Sequence, residues 1–324
     1  MQSGFALNRE VLLSKGIYFP KGGNREMDML NGKVSPGNGK WLFVAMKNDD
    51  YSFIKERFQE LKDKLIEKQS DKLLVSNEQL IELLSERARL KKFESIVEEL
   101  GFEIDYLIVL RHPQDQILSL YKHRMKSLRF ISLDDWFNDY KLINNLYKIR
   151  DQMALDSESF TFIAYKENGL EMIEDIFEFW FEIPLCGFWE NIRVNKSPSL
   201  SELRFLGKIG NEQVRKYLYE NFLEISNKGN DKAYDNKLLN DIYDKIERDC
   251  ALFKDLDERL INVSGYLVLY KVDGVDVCDD YIFSADQIAL ITKVIQDKKH
   301  IIRIKNFLIK VKVGLKRRMF IFSK

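Results

Sequence analysis

Cysteine and histidine are scarce in this chain, with three of each among 324 residues. Cys186, Cys250 and Cys278 are widely spaced and odd in number, which fits a reducing compartment better than a disulfide framework. Neither they nor the scattered His112, His123 and His300 offer metal-ligand spacing, so no metal is expected. An excess of one charge is also missing. Lys+Arg and Asp+Glu both number 51, so no global field draws the protein to nucleic acid, and none is expected as a partner. No apolar run is long enough to cross a bilayer. The opening "MQSGFALNRE" lacks the continuous apolar stretch of a signal peptide. Together these absences predict a soluble, cytoplasmic protein.

Apolar residues are present in quantity: they make up 45% of the chain and aromatics 12%, enough for a sizeable core and too much for wholesale disorder. Residues 1–15 read as one helix, with Phe5, Leu7, Val11 and Leu12 on one side and Gly16 as its stop. "IYFP" (17–20) reads as a short extended piece, and the Gly- and Asn-rich stretch to Lys40 as a flexible loop. The segment 49–69 is an amphipathic helix, with Phe53, Ile54, Phe58, Leu61 and Leu65 at helical spacing. "KLLVS" (72–76) suits a strand, and 78–100 a helix stopped by Gly101. "IDYLIVL" (104–110) has the unbroken apolar character of a strand buried on both faces.

The alternation continues with helix 113–128, an N-cap at Ser132 with Asp135 three positions on, strand "FTFIAY" (160–165) and helix 166–182. Alternating strands and helices predict an α/β fold, an open parallel sheet with helices on both faces. From Ser197 to about Leu260 the pattern is helical. The expected organisation is an α/β core over 1–196, a helical extension over 197–296 and a basic tail over 297–324. That tail carries ten Lys/Arg against one acid.

The most informative stretch is "YLIVLRHPQDQILSLYK". In open α/β sheets ligands sit beyond the carboxyl ends of the strands, where Arg111 stands. Pro113 suits the first turn of the next helix. In that helix Ile117, Leu118, Leu120, Tyr121 and Met125 form the expected buried side, while Asp115, Ser119, Lys122 and Lys126 share a polar face. A guanidinium fork, a hydroxyl and a helix N-terminus near one another can hold a phosphate. The plainer alternative is an Arg that ends its strand in a salt bridge and a Ser that is merely solvated.

These residues resemble the strand–turn–helix of the sulfotransferase family, in which an Arg at a strand end and a Ser eight residues later bind the 3′-phosphate of 3′-phosphoadenosine 5′-phosphosulfate (PAPS). Other segments follow the order of bacterial, carbohydrate-type members. "ALNREVLLSKGIYFP" is similar to their first helix and turn, and "LLVSNEQL" to a strand end. "FTFIAYKENGLEMIEDIF" is similar to a later strand and helix, and "NKSPSLSELRFL" to the segment after it. The likeness covers about residues 1–210. It implies a P-loop NTPase-like sheet, PAPS as sulfuryl donor, and a carbohydrate hydroxyl as acceptor. It also implies that Asn195, Lys196 and Ser197 line the nucleotide or acceptor site; as bare sequence they are a helix-capping loop.

One part of the family pattern is absent. Members open with a strand and a Lys-x-Gly-Thr-Thr-Ser loop for the 5′-phosphosulfate, and this sequence opens inside the helix that follows. "GKVSPGNGK" (32–40) does not replace it, since its glycines miss the G-x-x-x-x-G-K spacing. The expectation is a sulfotransferase-like core lacking its first strand and phosphate loop, with catalysis doubtful as written: the true start lies upstream, the gene is a truncated relic, or another segment fills the gap. Two alternatives stand beside it: a degenerate, non-catalytic nucleotide-binding or interaction protein, and another P-loop small-molecule kinase.

Glu78, at a strand end on the ligand side, is the candidate catalytic base; its other reading is a first-turn Glu that favours the helix dipole. His123 reads as a solvated surface residue. Trp136, Tyr140, Trp180 and Trp189, beside Phe and Leu at helical spacing, read as core rather than as sugar-stacking platforms. The basic, apolar-interleaved tail suits either peripheral contact with an anionic inner membrane or, more plainly, a solvated terminal helix.

Overall fold

The computed structural model of the protein describes residues 2–31, 35–125, 132–153, 159–185, 199–225, 232–273 and 283–296. The chain forms two compact units, taken separately below. The first comprises the described residues within Met1–Pro113, Tyr140–Asn195 and Asp249–Val268; the second, those within Gln114–Asp139, Lys196–Arg248 and Leu269–Lys324.

The first unit holds four short strands. β1 (Ile17–Tyr18) pairs in parallel with β2 (Lys72–Leu73), and β3 (Tyr106–Leu110) in parallel with β4 (Phe160–Ala164). The architecture is therefore α/β, mostly helical, with small parallel sheets. Parallel pairs need crossover connections, and helices supply them. Between β1 and β2 run α3 (Glu26–Leu30), α4 (Lys40–Lys47) and α5 (Tyr51–Lys68); between β2 and β3 run α6 (Leu80–Leu84) and α7 (Arg87–Glu99).

Side-chain alternation puts helices on both faces of the β1–β2 pair. Leu74, Leu107, Val109 and Ile163 turn to one core with Phe5, Leu12, Met29, Ile173 and Phe177. That core is covered by α1 (Gln2–Leu7), α2 (Arg9–Ser14) and α11 (Gly169–Phe179). Leu73 and Val75 turn the other way, to Leu42, Met46, Ile54, Phe58, Phe93 and Val97 of α4, α5 and α7.

Backbone groups alternate as well. Lys72 N–H and Leu74 N–H donate toward the β1 side, to Gly16 O and Tyr18 O, so Leu73 and Val75 present theirs at the opposite edge. Tyr106 N–H donates to Ser159 O and Tyr165 N–H to Leu110 O, so Leu107 and Val109 likewise turn away from β4. Among the described residues no further strand joins either edge, and the two pairs remain separate sheets. Leu107 and Val109 amides are therefore expected to exchange with deuterium at least roughly tenfold faster than those of Ile108 and Leu110. Equal protection across β3 in a hydrogen-exchange measurement would show that its open edge is in fact covered.

Several local readings need correction. The single helix over 1–15 is two, α1 and α2, because Asn8 leaves helical geometry (φ −105°, ψ 30°) and its side chain bonds back to Gly4 O at 2.7 Å. The helix over 78–100 is interrupted between α6 and α7, where the extended Glu86 (φ −103°, ψ 94°) starts a new helix. Other readings stand. Gly101 ends α7 with φ +81°, and the Ser132 hydroxyl accepts from Asp135 N–H at 3.0 Å at the start of α9 (Leu133–Asn138).

In the second unit α8 (Pro113–Met125) buries Ile117, Leu118 and Tyr121. Leu120, expected inside, is 38% exposed, because a helix turns by about 100° per residue and so sets it outside the stripe that those three form. Farther on, α12 (Leu200–Gly207), α13 (Glu212–Ile225) and α16 (Ala285–Gln296) share a core of Leu206, Val214, Leu218, Phe222 and Val294. No helix among the described residues is long and apolar enough to cross a membrane. The tail over 297–324 lies outside the described residues.

Candidate functional site

The carboxyl ends of β1 and β2 rest on one buried side chain. Asn38, 3% exposed, donates from Nδ2 to Leu74 O at 2.9 Å and Pro20 O at 3.3 Å, and accepts from Ser76 N–H at 2.7 Å. Beside it Gly37 takes φ +81°; a Cβ there would stand 2.2 Å from Ser76 O and 2.7 Å from Gln2 Nε2. Residues 35–39 are thus a buried, tied segment rather than the flexible loop expected from their composition. Their backbone is held by partners almost forty positions away. Asn38→Ala is expected to cost about 2 kcal/mol, because it leaves two buried carbonyls and the half-buried Ser76 N–H without their partner. Urea denaturation would measure it, and a loss below about 1 kcal/mol would show that water replaces the carboxamide.

Glu78 lies two residues beyond Ser76, exposed, just before α6. It lies five residues beyond the end of β2 and next to the dipole of a very short helix.

Arg111 follows β3 directly and is half-buried. Its guanidinium stands over the Tyr165 ring, 5.2 Å from the centroid. The register explains the contact. Leu110 pairs with Ala164, so the next residues of the two parallel strands are neighbours. The expected alternative, a strand-end salt bridge, is not among the ion pairs of the described residues. Ser119 is exposed on α8. It belongs to the second unit and Arg111 to the first. His123 is exposed too, in keeping with a solvated residue. Asn195, Lys196, Ser197 and Trp189 lie outside the described residues.

The turn from β3 into α8 carries a contact that sequence patterns do not announce. His112 N–H donates to the Tyr266 hydroxyl at 3.2 Å, and the His112 ring lies edge-on to Tyr266, with centroids 6.2 Å apart and planes at 86°. His112 Nε2 is 3.0 Å from Val268 O; since a carbonyl only accepts, the proton is on that nitrogen. The loop bearing Tyr266 is held by Asp257, at the end of α15 (Cys250–Asp257), whose carboxylate accepts from Gly265 N–H at 2.5 Å and Leu267 N–H at 2.6 Å. Upstream, Ile261 N–H donates to Phe162 O, and Asn262 bonds both the N–H and the C=O of Ala164. The loop thus runs along the outer side of β4 before it reaches His112. Asp175, 7% exposed, completes this edge by accepting from Lys166 and Asn262.

Sequence reasoning missed Tyr165, Asp257 and Tyr266. Tyr165 had a usable signal, since it ends its strand as Arg111 ends the neighbouring one. Tyr266 had none, because its partner is 154 positions away.

Trp136, Tyr140 and Trp180 are half-buried rather than fully inside a core. Trp136 lies 5.6 Å from Tyr121, and Trp180 lies 4.7 Å from Phe181 against the first core. Burial pushes the Tyr140 hydroxyl well above the ordinary tyrosine pKa, which leaves it protonated and unsuited to act as a base. Among the described residues no group of three or more His, Cys, Asp or Glu is placed to hold a metal ion. No protein-family model, curated protein or solved structure matches the chain.

Proposed function

We propose that the chain is a sulfotransferase-like protein. It binds the 3′-phosphate of PAPS through Arg111 and Ser119, and a form that carries the phosphosulfate loop transfers the sulfuryl group to a hydroxyl of a carbohydrate or related acceptor. The observation that carries this reading is Arg111 itself: a half-buried guanidinium at the carboxyl end of a parallel strand, laid on Tyr165. In an open α/β sheet that is the ligand side. Ser119 is solvent-facing on the helix that follows.

The separation of the two strand pairs supports the finer fold reading, a P-loop-like sheet without its central strand. The resemblance has its first strand beside the one ending in Arg111, and that edge of β3 lacks a neighbour among the described residues.

Sulfuryl transfer, like phosphoryl transfer, depends on positioning, charge neutralisation and a base for the acceptor proton. Arg111 and Ser119 would position the nucleotide, and Asn195, Lys196 and Ser197 would line its site. Glu78 would take the proton, so Glu78→Gln is expected to leave nucleotide affinity within about twofold while transfer by a loop-bearing form drops at least roughly a hundredfold. Unchanged turnover would return Glu78 to the helix-dipole role.

The test of the reading is calorimetric titration with adenosine 3′,5′-bisphosphate, the product nucleotide. Saturable binding that depends on Arg111 supports it; a folded sample that takes up none refutes it. The second reading is a non-catalytic nucleotide-binding protein. DNA upstream of Met1 separates them. An in-frame strand with Lys-x-Gly-Thr-Thr-Ser supports the enzyme, a Gly-x-x-x-x-Gly-Lys-Ser loop the kinase, and a stop codon the non-catalytic form.

The protein is proposed to act in the cytoplasm. Anionic vesicles are expected to pellet the full chain and a chain ending at Gln296 equally, as for a solvated tail; stronger pelleting of the full chain would place the tail on the inner membrane.

A further inference from the structure

An anion beside Arg111 would look first to the backbone amides that open α8, since the early N–H groups of a helix have no partner within it. Here the nearest ones are few. Pro113 has no N–H, and the His112 N–H is already given to the Tyr266 hydroxyl. A phenolic oxygen therefore occupies the amide next to Arg111 in the chain.

The loop bearing Tyr266 has anchors that do not involve its hydroxyl. Asp257 grips the residues on either side of Tyr266, through Gly265 N–H and Leu267 N–H. The His112 ring holds Val268 O. The loop thus keeps these anchors when the hydroxyl leaves the His112 amide. The exchange also has a favoured direction. A neutral phenol is a weaker acceptor than an anionic oxygen, and hydrogen bonds with an ionised partner are shorter and about twice as strong.

We propose that Tyr266 is a latch that sets the affinity of the Arg111 site: its hydroxyl occupies the His112 amide in the ligand-free protein and is displaced when an anion binds. The inference rests on the phosphate reading of Arg111. Tyr266 acts through the His112 amide and is in this sense a positioning residue.

The test is Tyr266→Phe, which removes the acceptor oxygen and keeps the ring against His112. Adenosine 3′,5′-bisphosphate is titrated calorimetrically into the wild type, Tyr266→Phe and Arg111→Ala, with folding checked by circular dichroism and the His112 amide followed by NMR. The expected result is tighter binding by Tyr266→Phe, roughly three- to tenfold for one competing neutral hydrogen bond, together with a slightly lower melting temperature. A merely structural role would lower stability and affinity together. The His112 amide resonance should shift on ligand addition in the wild type, and should already be displaced in ligand-free Tyr266→Phe. Binding that needs Arg111 but is equal or weaker in Tyr266→Phe overturns the latch and leaves the phosphate reading standing. Absence of binding in all three folded proteins overturns both.

Discussion

Arg111→Ala is expected to weaken adenosine 3′,5′-bisphosphate binding about thirty- to a hundredfold, with the fold intact. A hydrogen bond to a charged group contributes roughly 1.5–3 kcal/mol, and a thirty- to hundredfold loss, about 2–2.7 kcal/mol, lies within that range. Within the protein the same side chain stacks on Tyr165. Such a stack contributes about 0.5–1 kcal/mol, so stability should change little. Arg111→Lys should fall between the two proteins, because an ammonium keeps the charge and loses the planar fork. Ser119→Ala, at an exposed position, should reduce affinity by no more than about tenfold without changing stability. Calorimetry at fixed salt measures all three. Equal affinity in Arg111→Ala and wild type would remove the phosphate site, and the sulfotransferase reading with it.

Arg9→Ala should produce the largest loss of stability, about 3 kcal/mol. The guanidinium of Arg9 ties together α1, α2, α3 and the turn after β1. Nε donates to Phe19 O at 3.0 Å, Nη1 to Ala6 O at 3.1 Å, and Nη2 to Glu26 Oε2 at 3.0 Å. Nη1 also pairs with Glu26 Oε1, and the group lies over the Phe19 ring. Glu26 in turn accepts from Gly22 N–H at 2.7 Å. Both side chains are largely out of solvent, at 22% and 15% exposure. An exposed pair would contribute under about 1 kcal/mol. Breaking a fully buried one costs roughly 3–5 kcal/mol, because the remaining charge loses its compensation, and partial exposure places this pair at the low end of that range. The melting temperature should fall by about 6–12 °C. Replacing both residues, as in Arg9→Ala with Glu26→Ala, should recover part of the loss, since no uncompensated carboxylate remains. A single-variant loss below about 1 kcal/mol, by urea or thermal unfolding, would show the network to be solvent-screened.

Elements whose causes are local were legible in the sequence. The apolar run "YLIVL" is a strand, Gly101 ends a helix, and Ser132 caps one, because each depends on residues within about one turn. The position of Arg111 was legible for the same reason, since it needs only a strand end followed by Pro113. The break at Asn8 was not. Its helical period continues on both sides, and only the return of the Asn8 side chain to Gly4 O interrupts it. Nor was the burial of Asn38, whose composition reads as turn and whose partners are Leu74 and Ser76.

The same contrast appears in the second unit. The Gln114 carboxamide receives Tyr270 N–H and donates to Tyr270 O and Leu239 O. Asn240 receives Val272 N–H and donates to Val272 O. In each case a side-chain amide does for an extended segment what a neighbouring strand would do. A helical Gln and Asn would read as solvated, and both are committed to partners far along the chain.

By itself the sequence determined the alternation of parallel strands and helices and the cation that ends β3, because periodicity, caps and strand ends are properties of neighbouring residues. Tertiary structure alone decided that the strands form two separate pairs, that Asn38 supports the ends of β1 and β2, and that Tyr266 meets the amide after Arg111. Those outcomes depend on buried polar groups finding partners, and the partners are brought within reach only once the core has closed.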